Sequence, residues 1–285
     1  MRLLTWILGL ALACTSAVAD SPQQMASIGD LELSSGDTLL DARVGFRTTG
    51  TLNPDKSNVI VFLTWFTGTT GSLVKWEKIG PGKLADSDRF YVIAIDALGN
   101  GVSSSPSNSP QQSGKQFPSI SIADMVNSQY ALLTQHLGIS RAHAVMGISM
   151  GGMQTFRWMG QYPGFMNKAI AIDGSPAPTS YDLLQWRTHE TAILMMQEAG
   201  IGNPDIMKFT STLSLLTLWT PGYFVEKITP DALPEFIADS TQDSGDGNAN
   251  DYLAQLRAMI SHDVYAANYD DEKSYLERVQ ADLLV

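Results

Sequence analysis

Cysteine is almost missing from this sequence. The one present, Cys14, sits in an N-terminal leader, so the chain after it holds no disulfide, thiol nucleophile or thiolate metal site. Positive charge is also scarce: 18 Lys and Arg stand against 29 Asp and Glu, a formal net charge of −11. Such a balance leaves no electrostatic footprint for nucleic acid or for an anionic membrane surface. No apolar run approaches the roughly 20 residues that a membrane-spanning helix needs. Internal repeats, low-complexity tracts, a Walker loop, a dinucleotide fingerprint and zinc-ligand spacings are all lacking, so neither cofactor nor metal is expected. What is there is 285 residues, 44% hydrophobic and 16% charged, with aromatic side chains spread along the whole length. That composition excludes disorder and is ample for a large buried core.

Residues 1–19 have the parts of a secretory signal peptide in order. Arg2 is the positive start, residues 3–13 are a short apolar run, and Ala17-Val18-Ala19 is a small-residue cleavage site before Asp20. Ala11-Leu12-Ala13 are the wrong residues ahead of Cys14 for a lipoprotein anchor. A secreted or periplasmic protein is expected, cut between Ala19 and Asp20 and free of the membrane afterwards.

Residues 31–33 and 42–48 read as extended segments around a polar turn at 34–37. Apolar runs at 59–63, 90–95 and 142–146, and a shorter one at 168–172, suggest strands buried on both faces, as in a parallel sheet. Between them, Ser121 and Asp124 have capping-box spacing. Ile122, Met125, Val126, Tyr130, Leu133 and Leu137 then share a helical face that Gly138 ends. Another helix follows Ser149 and stops at Pro163-Gly164. Alternating strands and helices argue for a doubly wound, mostly parallel α/β sheet. From about Ser180 the pattern is helical throughout: residues 182–199, 204–219, 230–238, 252–261 and 272–279. The expected organisation is a core over 20–178, a helical lid over 179–279, and the start of a further core strand at 280–285.

Gly147-Ile148-Ser149-Met150-Gly151 fits the G-x-S-x-G nucleophile elbow, between an apolar strand and a helix as that motif requires. Ser149 is the candidate nucleophile. The backbone N–H of Met150, next along the chain, is one expected donor to an oxyanion. The N–H of Phe66, in the loop Thr64-Trp65-Phe66-Thr67-Gly68 after an earlier strand, is the other.

These segments resemble the homoserine O-acetyltransferase family of α/β-hydrolase proteins. The resemblance is carried by Trp76-Glu77-Lys78-Ile79-Gly80-Pro81-Gly82-Lys83, by Asp96-Ala97-Leu98-Gly99-Asn100-Gly101 with Ser104-Ser105-Pro106, and by Phe117-Pro118. Asp124-Met125-Val126, Gln129-Tyr130-Ala131-Leu132-Leu133 and Ser149-Met150-Gly151-Gly152-Met153-Gln154 carry it further. It covers residues 31–176; the helical insertion matches only loosely. It implies an α/β-hydrolase fold with a helical lid, and a Ser-Asp-His triad working through an acyl-serine.

Three departures qualify it. The family has His-Ala-Leu-Thr-Gly at the loop where this chain has residues 64–68, so the bulk of Trp65 and Phe66 is expected to reshape the acyl pocket. The family's arginine for the homoserine carboxylate aligns with Glu190, one turn after Arg187. A carboxylate there would repel homoserine, unless a shifted register lets Arg187 take the role. Third, the triad acid and His would follow the strand that begins at Ala281, and this chain does not contain them. His136, His143, His189 and His262 read as surface or packing residues; His262 is next to Asp263, but neighbours on a helix do not face each other. On this basis the sequence is expected to be a fragment or truncated product, lacking on the order of 50–80 residues of the fold.

Weaker signals point to ordinary packing. Residues 243–251 are rich in Asp, Asn and Gly, but an EF-hand loop counted from Asp246 would need Gly at Asp251 and Glu at Arg257. Met159, Met195, Met196, Met207 and Met259 could line an acyl site or simply fill the core. The expected function is an exported serine esterase acting on a small acyl ester. The alternatives are a homoserine O-acetyltransferase using acetyl-CoA and an inactive remnant; a homodimer is compatible with either active form.

Overall fold

A computed structural model of the chain describes residues 21–266 and 272–285. The leader at 1–19, with its cleavage site, lies outside the described residues. The first strands, β1 (Gln24–Glu32) and β2 (Thr38–Thr49), form an antiparallel hairpin, and β2 lies antiparallel against β6 (Tyr91–Ile95). From there the sheet is parallel: β6, β3 (Val59–Leu63), β7 (Ala142–Ile148), β8 (Met166–Ile172) and β9 (Asp282–Leu284). A separate two-residue pair, β4 (Ile79–Gly80) with β5 (Ala85–Asp86), braces the loop before β6.

The apolar runs are buried because both faces of the sheet are covered. Val59, Val61, Leu63, Ile93, Ile95 and Val145 point to one face, where α2 (Ile122–Ala131) and α3 (Met150–Gln161) pack. Their neighbours Ile60, Phe62, Val92, Ala94, Ala144 and Met146 point to the other, onto Leu73 of α1 (Thr70–Lys75). The α2 capping box is formed: the Asp124 N–H donates to Ser121 Oγ (3.2 Å) and the Ser121 N–H to Asp124 Oδ2 (2.8 Å). The next turn, Leu132–His136, widens to π geometry before Gly138 ends the helix at φ 62°. Helix α1 is not marked in the sequence by any periodicity, since six residues are too few; its start is capped by Thr69 and Ser72.

The lid is built from α4 (Ser180–Glu198), α5 (Asn203–Leu218), α6 (Pro221–Lys227), α7 (Leu233–Ser240) and α8 (Ala249–Ile260). Its own small core joins Ile193, Ile206, Met207, Tyr252, Leu253 and Leu256. Helix α8 faces two ways: its Ala258 and Met259 pack with Leu98, Met150 and Met153 of the main domain. One boundary differs from the expectation. Helix α9 (Glu272–Arg278), assigned above to the lid, packs on the sheet layer instead: Tyr275 is buried in the main cluster and its hydroxyl donates to the Phe156 carbonyl (2.6 Å). The strand expected at the end is present as β9, but its side chains are exposed, because it pairs only with β8 at the sheet edge.

Candidate active site

Strand order reverses at β3. The chain goes next to β6 on one side and later to β7 on the other. In an open parallel sheet a crevice forms beyond the carboxyl ends of the strands at such a point. The Thr64-Trp65-Phe66 loop leaves β3 there, and Ser149 leaves β7 beside it.

Ser149 sits between β7 and α3 at φ 56°, ψ −120°, a backbone conformation that L-residues rarely adopt. Its N–H donates to the Ile172 carbonyl of β8 (2.8 Å), and its carbonyl accepts from the Met153 N–H (3.0 Å). The small flanking residues are a packing requirement. A Cβ on Gly147 would lie 2.2 Å from the Gly151 backbone, and one on Gly151 would lie 2.6 Å from the Leu63 carbonyl oxygen. The elbow therefore presses against the end of β3. Met150 opens α3, so its N–H has no intrahelical acceptor.

The loop after β3 is held along its length. Thr64 Oγ1 accepts from the Ala97 N–H (3.1 Å), the Gly68 N–H donates to the Trp65 carbonyl (3.0 Å), and the Gly68 carbonyl accepts from Asn100 Nδ2 (3.0 Å). The Thr67 N–H donates to Gln255 Oε1 (2.8 Å). Among the described residues, the Phe66 N–H has no acceptor. Asp96 anchors the loop's far end: fully buried, it accepts from the Thr70 N–H and hydroxyl (both 2.8 Å), Asn100 Nδ2 (2.9 Å) and Gln23 Nε2 (2.9 Å).

Trp65 and Phe66 part ways. Phe66 packs against the cluster containing Met150 and Met153 and meets Tyr252 of the lid edge-on at 4.5 Å. Trp65 packs on the opposite cluster and against Trp76 at 5.3 Å, its indole covering Gly68. The chain turns between Trp65 and Gly68, so the two side chains leave in different directions, and of the two Phe66 reaches the Met150 side.

The lid supplies the facing wall. Trp186 of α4 packs against the clusters on both sides of Phe66. Tyr252 of α8 shares a hydrogen bond with His189 Nδ1 (2.8 Å), and burial pushes its phenol up to about 12, against the pull of the Ser214 hydroxyl. Burial likewise pushes the His189 imidazole down. Trp186, Tyr252 and Gln255 carry no sequence signal, since nothing local in a lid helix says which face meets the sheet. Beside Thr67 and Gln255 a cavity of about 440 Å³ opens between the loop after β6 and the lid, lined by Asn100, Ser107, Met207 and Asp251 among others.

Arg187 and Glu190 are not part of that wall. Glu190 accepts from Arg187 Nη1 (2.8 Å) and from Arg257 Nε of α8 (2.7 Å), and Arg187 borders a shallow groove on the outer face of α4. Glu190 is therefore not a bare carboxylate: two guanidiniums neutralise it, and Arg187 is one of them. Among the described residues, none of the four histidines bonds to Ser149. His262 is buried with its Nε2 against the Ser175 carbonyl (3.2 Å); burial, then Arg157, pushes its pKa down to about 4. His143 lies against Phe90 (5.2 Å) and His136 against Phe46 (6.1 Å). Of the methionines, Met159, Met207 and Met259 are buried in clusters and Met195 is exposed. No group of three potential metal ligands is present among the described residues.

Comparison with known proteins agrees with this architecture. Residues 59–189 match the family model of the alpha/beta hydrolase fold. The chain is 37% identical over 175 residues to a Corynebacterium glutamicum protein named as a probable esterase, covering 61% of this chain and 50% of that one. It is 36% identical over 190 residues to the homoserine O-acetyltransferase of Methanosalsum zhilinae, covering 61% and 38%. The chain thus spans half or less of the length of these relatives. The solved acetyl esterase MekB superimposes with a TM-score of 0.85 at 28% identity, over 92% of this chain and 79% of that one. The chain has the α/β-hydrolase fold, and its relatives are esterases and homoserine O-acetyltransferases.

Proposed function

We propose that the protein is an exported serine esterase, with Ser149 as nucleophile and the Phe66 and Met150 N–H groups as its oxyanion hole. The observation that carries the reading is Ser149 held at φ 56° on the turn from β7 into α3, beside the loop from β3. In this reading Ser149 Oγ attacks the ester carbonyl and its proton passes to a base. The oxyanion is held by the two N–H groups, and its collapse expels the alcohol and leaves an acyl-serine that water hydrolyses. The base is a histidine oriented by an acid, which the described residues do not bring to Ser149. A short acyl ester is the proposed substrate, because bulky Phe66 and Trp186 pack around the Met150 side of the elbow.

Acyl transfer from acetyl-CoA to homoserine is the second reading, favoured by the relatives that carry that name. Against it stands the place of Arg187, which borders a shallow groove on the outer face of α4 with Leu184, Thr188 and Met195. Export rests on the leader at 1–19, and self-association on the apolar side chains that the lid shows to solvent, Leu216, Leu218 and Val225 among them. The test is direct. In a protein that also carries the histidine and acid, Ser149 should react with a fluorophosphonate, and Ser149→Ala should remove labelling and lower ester turnover by about 10⁴-fold or more. Hydrolysis of short p-nitrophenyl esters should outpace homoserine-dependent release of CoA. The reverse order would establish the transferase, and an unlabelled Ser149 would establish an inactive chain.

A further inference from the structure

Two glutamines bracket the peptide unit that carries the Phe66 N–H. Gln154 of α3 is fully buried, and its amide nitrogen donates to two carbonyls at once: Thr64 (3.0 Å) and Met150 (3.1 Å). Thr64 begins the loop that leads to Phe66, and Met150 is the other proposed donor residue. One side-chain amide thus ties the two strands of chain that form the hole. Its oxygen accepts from Gln129 Nε2 (2.6 Å), and Gln129 Oε1 accepts from Trp158 Nε1 (2.8 Å). That relay fixes which way the Gln154 amide faces, since a flipped amide would present its oxygen to two carbonyl oxygens.

Gln255 holds the other end. It is fully buried on lid helix α8; its Oε1 accepts from the Thr67 N–H (2.8 Å) and its Nε2 donates to the Leu98 carbonyl (3.1 Å). Thr67 directly follows Phe66 and sits at φ 59°, where a non-glycine residue needs an external hold. Its N–H is captured by the lid, so the neighbouring Phe66 N–H keeps one direction.

We propose that Gln154 and Gln255 are positioning residues for the oxyanion hole, and that the hole is complete only while α8 of the lid is seated on the 64–67 loop. This rests on the assignment of Ser149, Phe66 and Met150 made above. It goes further in making the lid a working part of the hole rather than only a cover. A small misplacement of a reacting or stabilising group costs rate far more than affinity.

The experiment separates the two layers. Protein that also carries the histidine and acid is first treated with a fluorophosphonate, with Ser149→Ala as control; no Ser149-dependent labelling would end the functional reading before the glutamines are tested. Given labelling, Gln255→Met, which keeps the shape and removes the acceptor, should slow it by about 10- to 100-fold. For p-nitrophenyl acetate, kcat should fall in step while KM stays within about threefold of wild type. Affinity for a trifluoromethyl ketone, whose adduct with serine carries the oxyanion, should fall in parallel with kcat/KM. In Gln255→Glu burial favours the protonated acid, which keeps an oxygen acceptor for Thr67 and an O–H donor for the Leu98 carbonyl, so this variant should recover much of the rate. Tyr275→Phe removes hydroxyl donation to the Phe156 carbonyl and touches neither the 64–67 loop nor α8, so it should lower the melting temperature and leave labelling near wild type. Gln154→Met should behave as Gln255→Met; if it does not fold, the Gln255 pair decides. Wild-type labelling in Gln255→Met, or equal slowing by Tyr275→Phe, would overturn the proposal.

Discussion

At φ 56°, ψ −120°, Ser149 would relax if its neighbours allowed it. They do not, because the elbow is wedged between the ends of β3 and β8 with no room for a Cβ at Gly147 or Gly151. Backbone strain of this kind persists where the surroundings over-determine it, and it gathers at sites that do chemistry. Two outcomes follow at this scale. Ser149→Gly, which removes both the strain and the hydroxyl, should raise stability by about 1 kcal/mol in urea unfolding while abolishing labelling. Gly151→Ala should do the opposite. Its methyl would sit 2.6 Å from the Leu63 carbonyl oxygen, a backbone atom that cannot swing aside, and should cost about 1–3 kcal/mol in the same measurement.

Among elements, the lid helices are tied to one another and to the sheet layer by polar contacts at long sequence separation. Glu190 of α4 is the clearest case within the lid. Burial works to raise its pKa, but hydrogen bonds from Arg257 and Arg187 outweigh that and hold it below the ordinary glutamate value. A carboxylate depressed in the folded state stabilises above its unfolded pKa, and that contribution is lost as pH falls through the folded one. Both arginines are largely exposed, so the worth is small. Glu190→Gln should lower stability near pH 7 by about 1 kcal/mol and abolish this group's part of the decline below about pH 4.3. Denaturant melts of both proteins at pH 7 and pH 3.5 check it. Helix α4 itself is legible as the helical pattern over 182–199, and in the structure Thr179 and Asp182 cap its start. The partners of Glu190 are not, because Arg257 lies 67 positions away.

For the molecule as a whole, acid should be destabilising well before the carboxylates titrate. His262 is 4% exposed and bears a pKa pushed down to about 4 by burial and by Arg157. Unfolded, the same imidazole takes its proton near 6.5. The unfolded state therefore binds more protons in between, and stability present above about pH 6.5 drains away as pH falls toward 4. A shift of this size corresponds to on the order of 3 kcal/mol. Urea unfolding at pH 7.5 and pH 4.5 should show that loss, and His262→Asn should flatten most of it. An unchanged slope in the variant would mean that other groups carry the acid sensitivity.

The sequence by itself determined what is local. A strand, a tight turn and a helix around Ser149 can be read from residues 142–161 because an elbow needs small residues within two positions of the serine. The capping box at Ser121, the buried runs and the change to all-helical pattern after Ser180 are local in the same sense, and together they specify an α/β sheet with a helical insertion. The departure of the α4 region from the family pattern was visible too, but its meaning was not. Only the tertiary structure decided that Trp65 turns away from Met150 while Phe66 turns toward it, that α9 packs with the sheet layer through Tyr275, and that Glu190 is neutralised rather than bare. It also decided that Gln255 reaches Thr67 across 188 positions. The physical reason is the same in each case. Propensity, capping and periodicity act over a few residues, whereas the direction of a loop side chain and the partner of a buried polar group are set by whatever surface the packed elements bring against them.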